Sequence, residues 1–363
     1  MNVKRALEEV RVDDAAEERA WAVVRSAYAH RVPAHAERRR WPFVAAVAVG
    51  LAVVAAAVLS PPGRAVVDAV RRSIGIEHAA PALFRLPAGG RLLVSGAGGT
   101  WVVSADGSKR RLGDEGQAAW SPHGLFVVVA SADEIAAREP SHGDVHWSLA
   151  RPRVSSPRWG GTRVDTRVAY LSAGALRVVG GDGKGDAFVG PAAAIAPAWR
   201  PGTHVLAYAT RSQSVRVIDA DSHAQLAQHH VEGQVRAIAW WADGSRLAVA
   251  TSREIELFGA QGARAVLRLS GARALAFARD GRLAVLRGRG TVVVYGAEGA
   301  RTILRVPGRL EGLVWSPSGR WLVTALPGAD QWVFLDGRHV QAVSHIARQF
   351  GGAVSLDGWA SGA

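Results

Sequence analysis

Two hydrophobic patterns divide the chain. Residues 43–59 are an unbroken apolar run. With Trp41, Pro42 and Ser60 the stretch reaches 20 residues. As a helix that spans about 30 Å, the thickness of a bilayer's hydrocarbon core. From residue 88 onward the pattern becomes apolar runs of four or five residues separated by Gly, Asp and Pro, which predicts short strands joined by tight turns. Ahead of the long run, residues 14–30 predict a helix. Asp13 or Asp14 can cap it, Glu17 and Glu18 occupy its first turn, and Trp21, Val24 and Tyr28 form one apolar stripe. Behind the run, Ser60-Pro61-Pro62-Gly63 breaks the helix. Residues 64–74 then place Val66, Val67, Val70 and Ile74 on one face of a short amphipathic helix suited to a bilayer surface. Residues 77–88, with Pro81 and Pro87, read as a linker.

The flanks of the apolar run set its orientation. Arg38-Arg39-Arg40 lie directly before it, whereas Arg64 stands alone and Arg71-Arg72 are farther off. The positive-inside rule places the N-terminus in the cytoplasm, with Trp41 at the interface. A cleaved signal peptide competes with this reading, since Ala55-Ala56-Ala57 offers small residues, but a 40-residue leader is long for one. The expectation is an uncleaved signal-anchor in the cell membrane.

The second pattern repeats. Trp120-Ser121-Pro122-His123-Gly124 returns as Trp199-Arg200-Pro201-Gly202, Trp241-Ala242-Asp243-Gly244, Phe277-Ala278-Arg279-Asp280-Gly281 and Trp315-Ser316-Pro317-Ser318-Gly319, with a degenerate copy at Trp159-Gly160-Gly161. Leading aromatics at 120, 159, 199, 240, 277 and 315 stand 37 to 41 residues apart. Each is followed by an apolar run (125–129, 168–171, 205–209, 247–249, 283–286, 321–324). In most copies a second run follows (176–179, 215–218, 255–258, 292–295, 332–335), then a Gly/Asp turn. Four strands in about 40 residues make one blade of a β-propeller. The aromatic ends the inner strand and can wedge between blades, while Pro and Gly force the turn. Residues 91–104 match the second half of a copy, and Val354-Ser355-Leu356-Asp357-Gly358 resembles the start of one. The C-terminal strand therefore completes the first blade, giving seven; six blades with ragged ends is the alternative.

The Trp-Ser-Pro-x-Gly blocks resemble the repeats of TolB-like and WD-repeat-like propellers, over residues 88–359. The Trp-Asp dipeptide of conventional WD repeats and the N-terminal domain of TolB are both absent, so the partners of TolB do not carry over. The whole arrangement is similar to single-span proteins with an external propeller found in high-GC bacteria. The short segment before the span also resembles that of membrane-anchored anti-sigma factors, without their zinc-binding His and Cys pattern. The expected fold class is all-β. Its parts are a cytoplasmic amphipathic helical segment (1–40), a transmembrane helix (41–60), a juxtamembrane helix and linker (61–87) and an extracytoplasmic seven-bladed β-propeller (88–363).

Composition narrows the chemistry. The 363 residues contain no cysteine, which excludes disulfides, thiol catalysis and Cys-based metal sites. The net charge of +13 suggests an anionic partner, yet all but three of the 44 basic residues are arginine, a bias that genomic composition alone can give. The densest basic cluster outside the leader is Lys109, Arg110 and Arg111, a candidate anionic contact, followed by Arg151, Arg153 and Arg158. His142 and His146 are four apart but not on a helix. His229-His230 reads as an exposed outer-strand pair. Gly181-Asp182-Gly183-Lys184-Gly185 lacks the Ser/Thr and the helix of a phosphate loop and reads as a β-turn. Asp182 and Asp186 are too few for calcium. No nucleophile elbow is present. No catalytic, cofactor or metal residue is assigned, no cofactor is expected, and nucleic acid is not an expected partner. The reading is a non-enzymatic binding or sensing module whose partners are the bilayer and a protein or anionic envelope polymer. Two alternatives stay open: a transmembrane regulator whose Trp21, Val24 and Tyr28 stripe binds a cytoplasmic partner, and a propeller enzyme with a central-channel site.

Overall fold

Short runs of two to eight residues give strands throughout the described chain, some buried on both faces, as Val127–Ala130, and outer ones alternating, as Val145–Ala150. The computed structural model describes residues 85–114, 116–259 and 264–362, together with the backbone of Ile76–Ala80. The chain divides into two units, Met1–Val67 and Asp68–Ala363. The expected leader helix with Trp21, Val24 and Tyr28, the span at 41–60 and the helix at 64–74 lie outside the described residues. Among the described residues no helix is long and apolar enough to cross a membrane.

The described strands form seven antiparallel blades. Blades 2 to 7 each begin at an inner strand: Gln117–Trp120, Val154–Gly161, Ala198–Trp199, Val235–Trp240, Ala272–Phe277 and Glu311–Trp315. The next three strands of the chain follow outward in order. Blade 1 is built from both ends of the domain. Its inner strand is the C-terminal Val354–Ala360, paired with Arg91–Gly96, which leads to Gly99–Ser104 and Lys109–Gly113. The register runs from Arg91 opposite Ala360 to Gly96 opposite Val354. This settles seven blades over six. Each inner strand touches those of the two neighbouring blades, and the series returns to its start.

A four-stranded sheet has two apolar faces and cannot bury either alone, so the blades must stack. The core accordingly divides into seven clusters, one at each blade-to-blade interface. The closing interface sets Trp332, Phe334 and Val343 of blade 7 against Leu92, Val94, Val103 and Trp359 of blade 1. A short helix that the sequence pattern does not predict, Ile346–Phe350, spans the connection between these blades. It buries Ile346 and Phe350, and the Phe350 ring lies 5.2 Å from Trp332 and 5.9 Å from Trp101. Within the stretch read as linker, Ile76–Ala80 forms a fifth strand, parallel to Val340–Ser344 at the outer edge of blade 7.

The repeat aromatics are the wedges. Trp199 donates its indole N–H to the Arg158 carbonyl of the preceding blade at 2.9 Å, Trp240 donates to Ala198 at 3.1 Å, and Trp315 to Ala276 at 3.0 Å. In each case the acceptor is the residue just before the preceding blade's own aromatic. The following turn closes from Gly124 to Ser121, Gly244 to Trp241, Gly281 to Ala278 and Gly319 to Ser316. These glycines have φ between 69° and 84°, which L side chains rarely adopt. Ser121 and Ser316 add a side-chain oxygen that accepts the Phe126 and Trp321 N–H groups at 3.0 Å.

Gly160 shows how tightly a wedge seats: a Cβ there would fall inside the Trp199 side chain. Gly160→Ala is expected to cost about 3 kcal/mol or more in urea unfolding, because backbone and ring must both shift. Gly328→Ala, with open space around it, is expected to stay within about 0.5 kcal/mol.

Candidate functional site

Strand alternation splits the densest basic run. Lys109, Arg110 and Arg111 lie on the outer strand of blade 1, so Lys109 and Arg111 share one side and Arg110 takes the other. The Lys109 ammonium sits 5.9 Å over the Phe350 ring, and burial holds its pKa below the ordinary lysine value. Arg111 donates to the Gly98 carbonyl at 3.1 Å and pairs with Asp114 at 2.9 Å. The three side chains are therefore not gathered into one patch.

Other arginines join blades. Arg91 lies 5.0 Å over the Trp120 ring of the next blade and donates to the Gly124 carbonyl at 2.6 Å. Arg282 repeats this with Trp315 at 4.8 Å and Gly319 at 2.5 Å. Arg200 lies 5.7 Å over Trp240. Arg151 and Arg177 converge on the buried Asp186, each at 2.6 Å, and Tyr170 donates its hydroxyl to the same carboxylate at 2.6 Å. Burial works to raise the Asp186 pKa, but the donors from Arg177, Tyr170 and Arg151 outweigh it and hold the carboxyl below its usual range. Burial in turn pushes the Tyr170 hydroxyl up to about 12. Asp186 thus ties the outer strand of blade 3 to Arg151 in the connection from blade 2, a structural task.

Between blades 3 and 4, His204 bridges two oxygens. Its Nδ1 lies 2.5 Å from the Asp221 carboxylate and its Nε2 lies 3.0 Å from the Asp165 carbonyl. Neither oxygen donates, so the bridge is complete when both ring nitrogens carry protons. Burial and the nearby Arg167 disfavour the imidazolium, but Asp165 and Asp221 prevail and raise the His204 pKa.

The remaining motifs resolve as turns and stacks. Gly181–Gly185 is a hairpin turn in which the Lys184 N–H donates to Asp182 at 3.0 Å and the Gly183 N–H to the Gly180 carbonyl at 2.9 Å. His146 stacks on Phe126 at 5.0 Å, away from His142. Instead, His142 meets Glu139 and Asp144, whose ligand atoms all lie within 4.8 Å of one another in one exposed hairpin, where Glu139 already accepts the Ser141 hydroxyl. His229, expected to be exposed, is half-buried with its ring 4.0 Å from Phe258 of the next blade.

The seven inner strands surround the central channel. None carries a histidine; their carboxyl groups are Asp357 and Glu311, and Glu311 is paired with Arg309 at 2.9 Å. Asp357 accepts the Ser355 hydroxyl at 3.3 Å, and Ser95 and the Ala118 N–H also reach it. Burial pushes its carboxyl up to about 7 against these donors and the charge of Arg158. Arg158, on the inner strand of blade 3, is an exposed residue whose guanidinium is crowded by surrounding protein, which lowers its pKa, with the Asp357 charge acting in the opposite sense. Ser95 and Ser355 also line a cleft of about 720 Å³ between blades 1 and 2, rimmed by Asp114, Asp133 and Glu134. A smaller cavity of about 180 Å³ lies between blades 4 and 5, lined by Ile195, Thr210, Arg211 and Gln234 among others.

The His204 bridge predicts a pH-dependent increment of stability. The folded pKa lies above the ordinary 6.5, so the increment is full below that value and is lost as pH rises through the folded pKa. The stability gap between the parent protein and His204→Ala, measured by urea unfolding, is expected to be larger in mildly acidic than in alkaline buffer. A gap that widens with rising pH would contradict this assignment.

No protein-family model matches the chain, and no curated protein sequence matches it either. Solved structures do. The chain is similar to hydrazine synthase of Kuenenia stuttgartiensis, with 15% identity, TM-score 0.50, and coverage of 61% of this chain and 76% of that one. A chain of the mitotic checkpoint complex matches at 18% identity and TM-score 0.54, over 74% of this chain and 95% of that one. The β-propeller domain of Myceliophteria thermophila Cps50 (Swd1) matches at 12% identity and TM-score 0.50, over 63% and 84%. Identities this low speak to architecture alone, and the architecture they share with this chain is a WD40-like seven-bladed β-propeller.

Proposed function

We propose that the chain is a membrane-anchored, non-enzymatic binding module, held by the apolar run at 41–60 with its propeller outside the cytoplasm, and that the propeller engages a protein partner. The observation that carries this reading is an apolar spot on the face formed by the turns that follow the wedges. Val164 is 95% exposed in the turn of blade 3. Leu125 is 56% exposed in the corresponding turn of blade 2. The two turns are joined by a 2.9 Å hydrogen bond between His123 Nε2 and the Arg163 carbonyl. Large apolar side chains in open water contribute nothing to the ring, and this is the kind of surface that a protein interface covers.

A further observation supports the reading. Several arginines, Arg91, Arg151 and Arg282 among them, are engaged with neighbouring blades and so are less available to an anionic polymer, which favours a protein partner. A chain of this fold is part of the mitotic checkpoint complex, and the present chain is proposed to use its propeller in a comparable way.

Topology and partner class are tested separately. Protease added to intact cells is expected to digest the propeller and spare residues 1–40; digestion of the leader alone would reverse the orientation. In affinity capture with the full-length chain, the double variant Leu125→Asp, Val164→Asp is expected to lose at least about tenfold of the captured partner, a loss of about 1.4 kcal/mol, with unchanged melting. Unchanged capture, or capture of an acidic polysaccharide in place of a protein, would contradict the proposed surface.

A further inference from the structure

The seven blades allow equivalent places to be compared. In each sheet a cross-strand line runs from the wedge aromatic toward the outer strand. In blade 2 it passes from Trp120 through Val127 and Arg138 to Val145. In blade 3 it passes from Trp159 through Val168 to Val179, and the outer-strand residues Ala187 and Phe188 follow beside Val178 and Arg177. In blade 4 it runs from Trp199 through Leu206 and Ile218 to Gln225, and in blade 5 from Trp240 through Leu247 and Phe258 to Arg264. The end of the line, with the next two residues of the outer strand, forms a corner of the blade on the side of the turn that follows the wedge. Among the described residues six large apolar side chains are exposed: Leu125, Val145, Val164, Phe188, Leu226 and Val266. All six belong to blades 2 to 5. Leu125 and Val164 lie in the turns, and the other four occupy the corners, one to a blade.

The fold does not ask for apolar residues there. The corner of blade 1 is Lys109, Arg110 and Arg111, at the end of the line Trp359, Leu92, Val103. The corner of blade 6 is Ala300, Arg301 and Thr302, at the end of the line Phe277, Leu283, Tyr295. The corner of blade 7, at Val340 and Gln341, is paired with the chain's own strand Ile76–Ala80. A single exposed apolar side chain is ordinary on a protein surface. One at the corner of each of four successive blades, all on the same side of their sheets, makes a surface. Cations stand at its two ends. Arg110 and Arg301 are exposed, and neither has a carboxylate within ion-pair distance among the described residues.

We propose that this arc takes one extended segment of the protein partner. The segment lies across the corners of blades 2 to 5, sets apolar side chains against Val145, Phe188, Leu226 and Val266, and carries carboxylates at its ends for Arg110 and Arg301. The inference rests on the protein-binding reading above and names what the partner presents. Anchors spaced one to a blade follow the rim of the ring and suit a chain laid along it, whereas a single knob fills one pocket. A free guanidinium at each end selects acidic groups by bidentate pairing and fixes the register of the segment. A lipid surface fits less well. The hairpins leading into the outer strands of blades 2 to 4 expose Asp144, Asp182 and Asp221, and carboxylates there repel anionic headgroups.

Photo-cross-linking of the full-length chain in intact cells tests the arc. The photoreactive residue p-benzoylphenylalanine is placed in turn at Val145, Phe188, Leu226 and Val266, and at Asp133 on the opposite side of blade 2 as a control. The four corner positions are expected to join one protein, at sites that fall within one stretch of its sequence and in the order of the blades, while the control position does not join it. The double variant Phe188→Asp, Leu226→Asp is expected to lower recovery of that protein at least about tenfold with unchanged melting. Arg110→Glu with Arg301→Glu is expected to give a similar loss and to remove most of the salt dependence of recovery. Cross-links scattered over distant parts of the partner's sequence, confined to lipid or to a second copy of this chain, or absent at the corners would overturn the proposal. If the Leu125, Val164 variant still loses its partner in that event, the protein-binding reading stands and the extended segment falls alone.

Discussion

The domain depends on one contact made around a ring: an aromatic at the end of each inner strand, pressed against the preceding blade. An isolated blade would leave both of its apolar faces in water. A row of such blades would still leave one face bare at each end. Closure is the arrangement that buries all seven interfaces, and the chain achieves it by sending its C-terminal strand back to pair with Arg91–Gly96. The Phe350 helix and the Trp332, Phe334 and Trp359 cluster then fill the seam where the two ends of the domain meet.

This constraint also gives part of the chain's basic character a structural role. Long arginine side chains can cross from one blade to the next, stacking over the neighbour's wedge while their N–H groups reach a turn carbonyl. Arg91 and Arg282 do this at equivalent places in their blades, and Arg151 and Arg177 serve Asp186. A net charge of +13 is thus poor evidence for an anionic ligand.

The fold was legible because turn chemistry and wedge recur together. Trp-Ser-Pro-x-Gly states a strand end, a capped turn and a glycine at positive φ in five residues. The seventh blade followed from the half-copies at the two ends. Outer strands were harder to read, since a strand such as Gln225–His230 lies at the solvent edge and needs little hydrophobic signal. The helix Ile346–Phe350 is too short for periodicity to show, and Ile76–Ala80 gains its strand character from the edge of blade 7. Lys109, Arg110 and Arg111 illustrate the limit of reading charge along the chain: a run in sequence becomes two opposite sides in a strand.

Because the chain lacks cysteine, closure can be tested by a single engineered pair. Ser95 and Ser355 are register partners across the closing seam, with their Oγ atoms 3.1 Å apart. Antiparallel partners at such spacing can accept a disulfide. Mass spectrometry of the oxidised Ser95→Cys, Ser355→Cys double variant is predicted to show an intramolecular link between those two positions in nearly all molecules. A free dithiol after oxidation, or a link found only between separate molecules, would contradict the closed seven-bladed ring.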